Sequence, residues 1–143
     1  MSNKGHIPYK NHHFKQEQNT FACGETAISS ILSMYGMVLK IKLESSDGIE
    51  QDRIKKILAE YGIHTHAKYI TWDKIRRRSI AYYPRRDHWI TIEKVDKKNN
   101  RLYINDSVKE KAEWVDKEDF CDSWLETENT GYVIECRRFR SAK

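Results

Sequence analysis

From Asn19 to Gly36 the chain reads NTFACGETAISSILSMYG, and its apolar residues Ala27, Ile28, Ile31, Leu32 and Tyr35 recur in steps of three and four. That period places them on one face of a helix, and Gly36 is a natural stop, since glycine enters the left-handed turn that ends helices. SSDGIEQDRIKKILAEYG repeats the plan. Asp47-Gly48 makes a turn, Ile54, Ile57, Leu58 and Tyr61 form the stripe, and Gly62 closes it. After Gly62 the period falls towards two. HAKYI and SIAYY read as strands, the second closed by Pro84, with WDKIRRR between them as a short helix or turn. HWITIEKVD and RLYINDS form the clearest strand pair, joined by KKNN in the manner of a hairpin. KAEWV adds a strand, DKEDFCDSW opens on acidic capping residues and reads as a short helix, and GYVIECRRF is a final strand. Helices first and a mostly antiparallel sheet afterwards make an α+β fold.

Composition narrows this picture. No repeat, low-complexity tract or Gly/Pro/Ser-rich linker divides the 143 residues, so a single domain over 1–143 is expected, with 1–15 and 138–143 loosely ordered. With 38% hydrophobic and 33% charged residues the chain is polar but globular, and no apolar run approaches a membrane span. The N-terminus lacks the apolar stretch of a signal peptide. The expected place of work is a cytoplasm, or outside the cell as part of a larger delivery protein. A net charge of +5 permits an acidic partner, such as nucleic acid, an acidic peptide or an acidic inhibitor or immunity protein, and also serves solubility. The cysteines Cys23, Cys121 and Cys136 form no C-x-x-C pair, and an odd count without a secretion signal argues against a disulfide framework. At least one thiol is left to explain.

A thiol becomes a strong nucleophile when it ionises, and the unpaired N–H groups of a helix N-terminus favour the thiolate. Cys23 stands at such a place, and Gly24 beside it gives a substrate room to approach the backbone. His88 opens the first strand of the hairpin and Asp106 closes the second, so both lie at one end of the ladder, where the carboxylate can orient the imidazole. His88 shares a strand face with Ile90 and Ile92, and Asp106 one with Leu102 and Ile104. Whether the two faces coincide depends on a register that the sequence leaves open. Taken singly, Cys23 reads as packing, His88 as a surface residue and Asp106 as a turn residue; their order after one another carries the argument.

The order resembles the papain-like cysteine peptidases, and most closely the double-glycine leader peptidases, the bacteriocin-processing domains of peptide-exporting ABC transporters and their stand-alone relatives. QEQNTFACG, SMYG, SSDGIEQDRIKKILAEYGI, HWITIEKVD and YINDS follow one another as that family's motifs do, over roughly Gln16 to Cys136. The resemblance implies a papain-like fold and a cysteine-dependent hydrolase, without cofactor, that cleaves a peptide or protein substrate. It implies Cys23 as nucleophile, His88 as general base and then acid, Asp106 as orienting group, and an upstream glutamine that shares the oxyanion with the Cys23 N–H. Gln18 is preferred over Gln16 for that donor. Gly24, Trp89, Arg85 and Arg86 are the candidate substrate-binding residues. The chain departs from the family at Glu25, where a Pro or small residue is usual, and at NDS, where NDP is usual. No transporter segment follows, so coupling to export is not expected.

Two further readings start from the same residues. Arg85 and Arg86 next to His88 could hold a phosphate, which leaves open a toxin or effector domain that cleaves RNA, with His88 acting on a ribose hydroxyl. A non-catalytic binding module on the same fold is the other. His6, His12, His13, His64 and His66 match no zinc spacing, and no metal is expected.

Overall fold

The computed structural model describes residues 23–40, 51–109 and 111–138. Helix α1 spans Cys23–Met34 and α2 Gln51–Glu60. Strands β1 (Ile63–Ile70), β2 (Ser79–Tyr83), β3 (His88–Asp96), β4 (Arg101–Asn105) and β5 (Glu113–Asp116) follow, then α3 (Lys117–Trp124) and β6 (Gly131–Arg138). The helices end where the sequence says they should, with Gly36 and Gly62 in the left-handed region at φ 78° and 79°. WDKIRRR resolves into a 3-10 turn over Trp72–Lys74.

The six strands form one sheet in the order β1-β6-β2-β3-β4-β5, and every pairing is antiparallel. Strand alternation gives the sheet two apolar faces. Ile80, Trp89 and Ile134 point one way, to Ile28, Ile31, Leu32, Ile54 and Leu58 of α1 and α2. Their neighbours Ala81, Ile90 and Val133 point the other way, to Phe120 and Trp124 of α3. A helix pair, a sheet and a single helix thus make three layers. Asp116 occupies the N-cap position of α3, but its side chain makes no capping hydrogen bond there. Glu118 and Asp119 in the first turn complement the helix dipole instead. β3 carries a bulge, since Ile92 pairs with Ile104 while Lys94 already pairs with Tyr103, leaving Glu93 as the extra residue.

Candidate active site

Three elements meet at one end of the sheet. Cys23 is the first residue of α1, where backbone N–H groups have no partner within the helix. The chain enters β3 through a 3-10 turn, Pro84–Arg86, and then Asp87 in a left-handed conformation (φ 48°, ψ 56°). That sharp turn aims His88, whose backbone pairs with Tyr83 across β2. Asp106 follows β4 directly. The register settles the question of faces. Ile92 pairs with Ile104 and both lie in the core beneath α3, so His88 and Asp106 project from the same side of the hairpin.

The contacts match. His88 Nε2 lies 2.6 Å from Asp106 Oδ1, and both residues are buried, at 6% and 5% exposure. The Cys23 thiol is near enough to the ring to raise the basicity of His88. With Nε2 engaged by the carboxylate, Nδ1 is the ring nitrogen left for the sulfur. Burial alone depresses the basicity of His88, but the Asp106 hydrogen bond, the Cys23 thiol and the negative charges of both outweigh it, and the imidazole pKa rises to about 9. Asp106 is held below the usual carboxylate range. Burial pushes its carboxyl up, and the His88 bond and charge, the Val108 N–H and the nearby Arg86 more than compensate. Asp106 Oδ1 also accepts from Val108 N–H at 3.2 Å, a turn made by the NDS sequence itself. The set is a thiol, an imidazole that takes a proton readily and a fixed anion behind it.

The neighbouring candidates divide. Gly24 is buried in the first turn of α1. Trp89 is buried in the same cluster as Cys23. Arg86 stacks over the Tyr83 ring at 5.0 Å and sits 3.7 Å from Asp106 Oδ2, at a cavity of about 270 Å³ behind the carboxylate. Arg85 points elsewhere, donating to the carbonyls of Asp122 and Leu125 at the end of α3. Gln18 and Gln16 lie outside the described residues, as do His6, His12 and His13. His64 and His66 are exposed on β1, and among the described residues no group of three or more His, Cys, Asp or Glu is placed to share an ion. Cys121 and Cys136 are free thiols.

Two features were not anticipated from the sequence. One is an aromatic row leading away from the site across four strands. Trp89 lies against its partner Tyr82 (ring centroids 4.6 Å apart) and 6.4 Å from Tyr132, which lies 5.0 Å from Tyr69 on the edge strand. Tyr69 is 57% exposed. The hydroxyls of Tyr82, Tyr132 and Tyr69 bond to Asp87, Gln51 and Glu126. The other is a buried polar trio, Ser30, Glu93 and Asn105, under α1. Each residue sits where strand or helix parity allows, but only the register brings them together.

A thiol at a helix N-terminus, an imidazole and a buried carboxylate in series, on helices packed against an antiparallel sheet, define a papain-like cysteine peptidase. Residues 11–138 match the model of the Peptidase C39 family, and the chain belongs to that family. It is therefore a cysteine-dependent hydrolase of peptide bonds. Solved structures share the fold. The peptidase domain of Streptococcus ComA, a bi-functional ABC transporter of a quorum sensing pathway, is 18% identical with a TM-score of 0.70, covering 87% of this chain and 96% of that one. A double glycine motif protease from an AMS/PCAT transporter, in complex with the leader peptide, is 17% identical with a TM-score of 0.68, covering 94% of each chain. The N-terminal peptidase C39 like domain of a toxin secretion ATP-binding protein from Vibrio parahaemolyticus is 9% identical with a TM-score of 0.59, covering 84% and 94%. No curated protein sequence matches the chain significantly. No described helix is long and apolar enough to cross a membrane.

Proposed function

We propose that the chain cleaves a peptide after a small-residue motif of the double-glycine kind, with Cys23 as nucleophile, His88 as general base and acid, and Asp106 as orienting group. The observation that carries the assignment is the buried 2.6 Å bond between His88 Nε2 and Asp106 Oδ1, together with a Cys23 thiol at the start of α1 close enough to raise the basicity of that imidazole. Cys23 gives its proton to His88 Nδ1 and its sulfur attacks the carbonyl carbon. The oxyanion faces the N–H groups at the start of α1, with Gln18 as a second donor. His88 then protonates the leaving amine, the thioester forms, and water activated by the same imidazole releases the acid. Asp106 holds the ring and offsets its charge throughout.

The likeness to a double glycine motif protease bound to its leader peptide supports a peptide substrate, as does the aromatic row beside Cys23. Arg85 and Arg86 are engaged with α3 and with Tyr83 and Asp106, which favours the peptide over RNA. We take residues 1–143 to act as one catalytic domain, in a compartment that its peptide substrate reaches.

The test is cleavage of a peptide library in which a Gly-Gly pair precedes varied residues, by wild type and by Cys23→Ala. Cleavage after Gly-Gly by the wild type alone is expected. Cleavage that persists in folded Cys23→Ala would exclude the mechanism, and cleavage only at other sequences would exclude the double-glycine specificity.

A further inference from the structure

Each of the three elements that carry the site also carries a second buried polar side chain. On α1 it is Ser30, 1% exposed; on β3, Glu93, 7%; on β4, Asn105, 3%. Asn105 Nδ2 donates to Glu93 Oε2 at 2.8 Å and to Ser30 Oγ at 3.2 Å. The links run close to the chemistry. Ser30 lies two turns along α1 from Cys23, on the same face of the helix. Asn105 immediately precedes Asp106. Glu93 is the extra residue of the β3 bulge and shares the α1-facing parity of Trp89 and Thr91.

Much of the contact between α1 and the sheet is apolar, made by Ala27, Ile28 and Ile31 against Trp89 and its neighbours. Apolar contact is non-directional and resists sliding weakly. Hydrogen bonds fix distance and angle. A buried carboxyl is also a costly way to fill space, and a well-packed apolar side chain of similar size would serve stability better. The presence of Glu93 calls for another reason.

We propose that Glu93, acting through Asn105 and Ser30, is a positioning residue that sets the spacing of α1 against the β3–β4 hairpin and so of Cys23 against His88 and Asp106. The inference rests on the triad assigned above. Without the tie the two halves of the site still pack, but the sulfur and the ring no longer hold one distance.

The experiment follows iodoacetamide alkylation of Cys23 from pH 5 to 9 in the full chain, for wild type, Glu93→Leu, Glu93→Gln, Ser30→Ala and His88→Ala, with thermal melts alongside. Glu93→Leu fills the space but cannot accept from Asn105. It is expected to melt at or above the wild-type temperature, yet to alkylate about tenfold more slowly at pH 6.5 with a displaced pH midpoint. Glu93→Gln keeps an acceptor and is expected within about threefold of wild type, a rescue that space-filling alone cannot supply. Ser30→Ala removes only the α1 end of the tie and should show the same midpoint shift in smaller degree, which decides the matter if Glu93→Leu fails to fold. A folded Glu93→Leu or Ser30→Ala that overlays the wild-type profile, while His88→Ala does not, would overturn the tie alone. If His88→Ala also overlays wild type, the triad falls and the tie with it.

Discussion

His88 is hydrogen-bonded to the Asp106 carboxylate and lies within the influence of the Cys23 thiol, and its basicity reports on both. Burial opposes the imidazolium and its two partners restore it, to a pKa of about 9. Removing the sulfur removes part of that support. In Cys23→Ala the His88 ring is expected to titrate lower than in wild type, and lower still with Asp106→Ala added, as read by NMR of the imidazole protons. The sign of the stability effect follows from linkage. A histidine raised above its ordinary 6.5 stabilises the fold fully below that pH, and the contribution is lost as pH rises through about 9. Asp106, held low, contributes above the ordinary carboxylate value and is lost as pH falls below it. Glu93 runs the other way. Burial lifts it to about 7, against smaller opposing effects of Asn105 and Lys94. Its ionisation therefore costs nothing below its ordinary 4.5 and weighs fully on the fold above about 7. Glu93→Gln should gain stability over wild type as pH rises from 5 to 8, by up to roughly 3 kcal/mol in chemical denaturation. An equal difference at both pH values would show that Glu93 does not titrate there. The three thiols separate in the same terms. Burial raises the thiol pKa of Cys121 and Cys136, so limited alkylation at neutral pH is expected to label Cys23 first, a peptide-mapping result that labelling of Cys121 first would contradict.

At the scale of elements, the strands around the site were legible and their alignment was not. SIAYY and HWITIEKVD match β2 and β3 residue for residue, because Pro84 interrupts the pairing and alternation marks both sides of it. His88 and Asp106 stood out for the same reason, each at a strand boundary where a turn frees the side chain. What parity could not supply was the count between them. The bulge at Glu93 adds one residue to β3, so positions counted back from the KKNN turn on the two strands cease to match before the site is reached. The Ser30–Asn105–Glu93 tie and the Tyr69–Tyr132–Tyr82–Trp89 row are both products of register, and neither has a signature in local sequence. Gly131, by contrast, has a plain reason to be glycine. A Cβ there would lie 2.3 Å from the Trp124 ring, which closes the core beneath α3 and donates to the Tyr132 carbonyl at 3.0 Å. Gly131→Ala is expected to lower stability by about 1–3 kcal/mol, measured by denaturant unfolding.

At the scale of the whole molecule, several positive charges of the described residues lie over aromatic rings. Arg78 covers Tyr35 at 4.6 Å, Arg101 covers Trp114 at 4.2 Å, and Lys97 and Lys117 flank Trp72 at 5.9 and 5.7 Å. The tryptophans split, with Trp124 wholly buried and Trp114 39% exposed under its arginine. The chemistry is concentrated at one end, where the helix layer meets the hairpin. Two apolar clusters pack on the two faces of the sheet whose end holds the site. The most direct measurement of the account is the rate of Cys23 alkylation against pH in wild type and in His88→Ala. Coupled sulfur and imidazole predict that His88→Ala slows alkylation and changes the shape of its pH profile relative to the wild type. Superimposable curves would contradict the assignment of Cys23 and His88 to one catalytic unit.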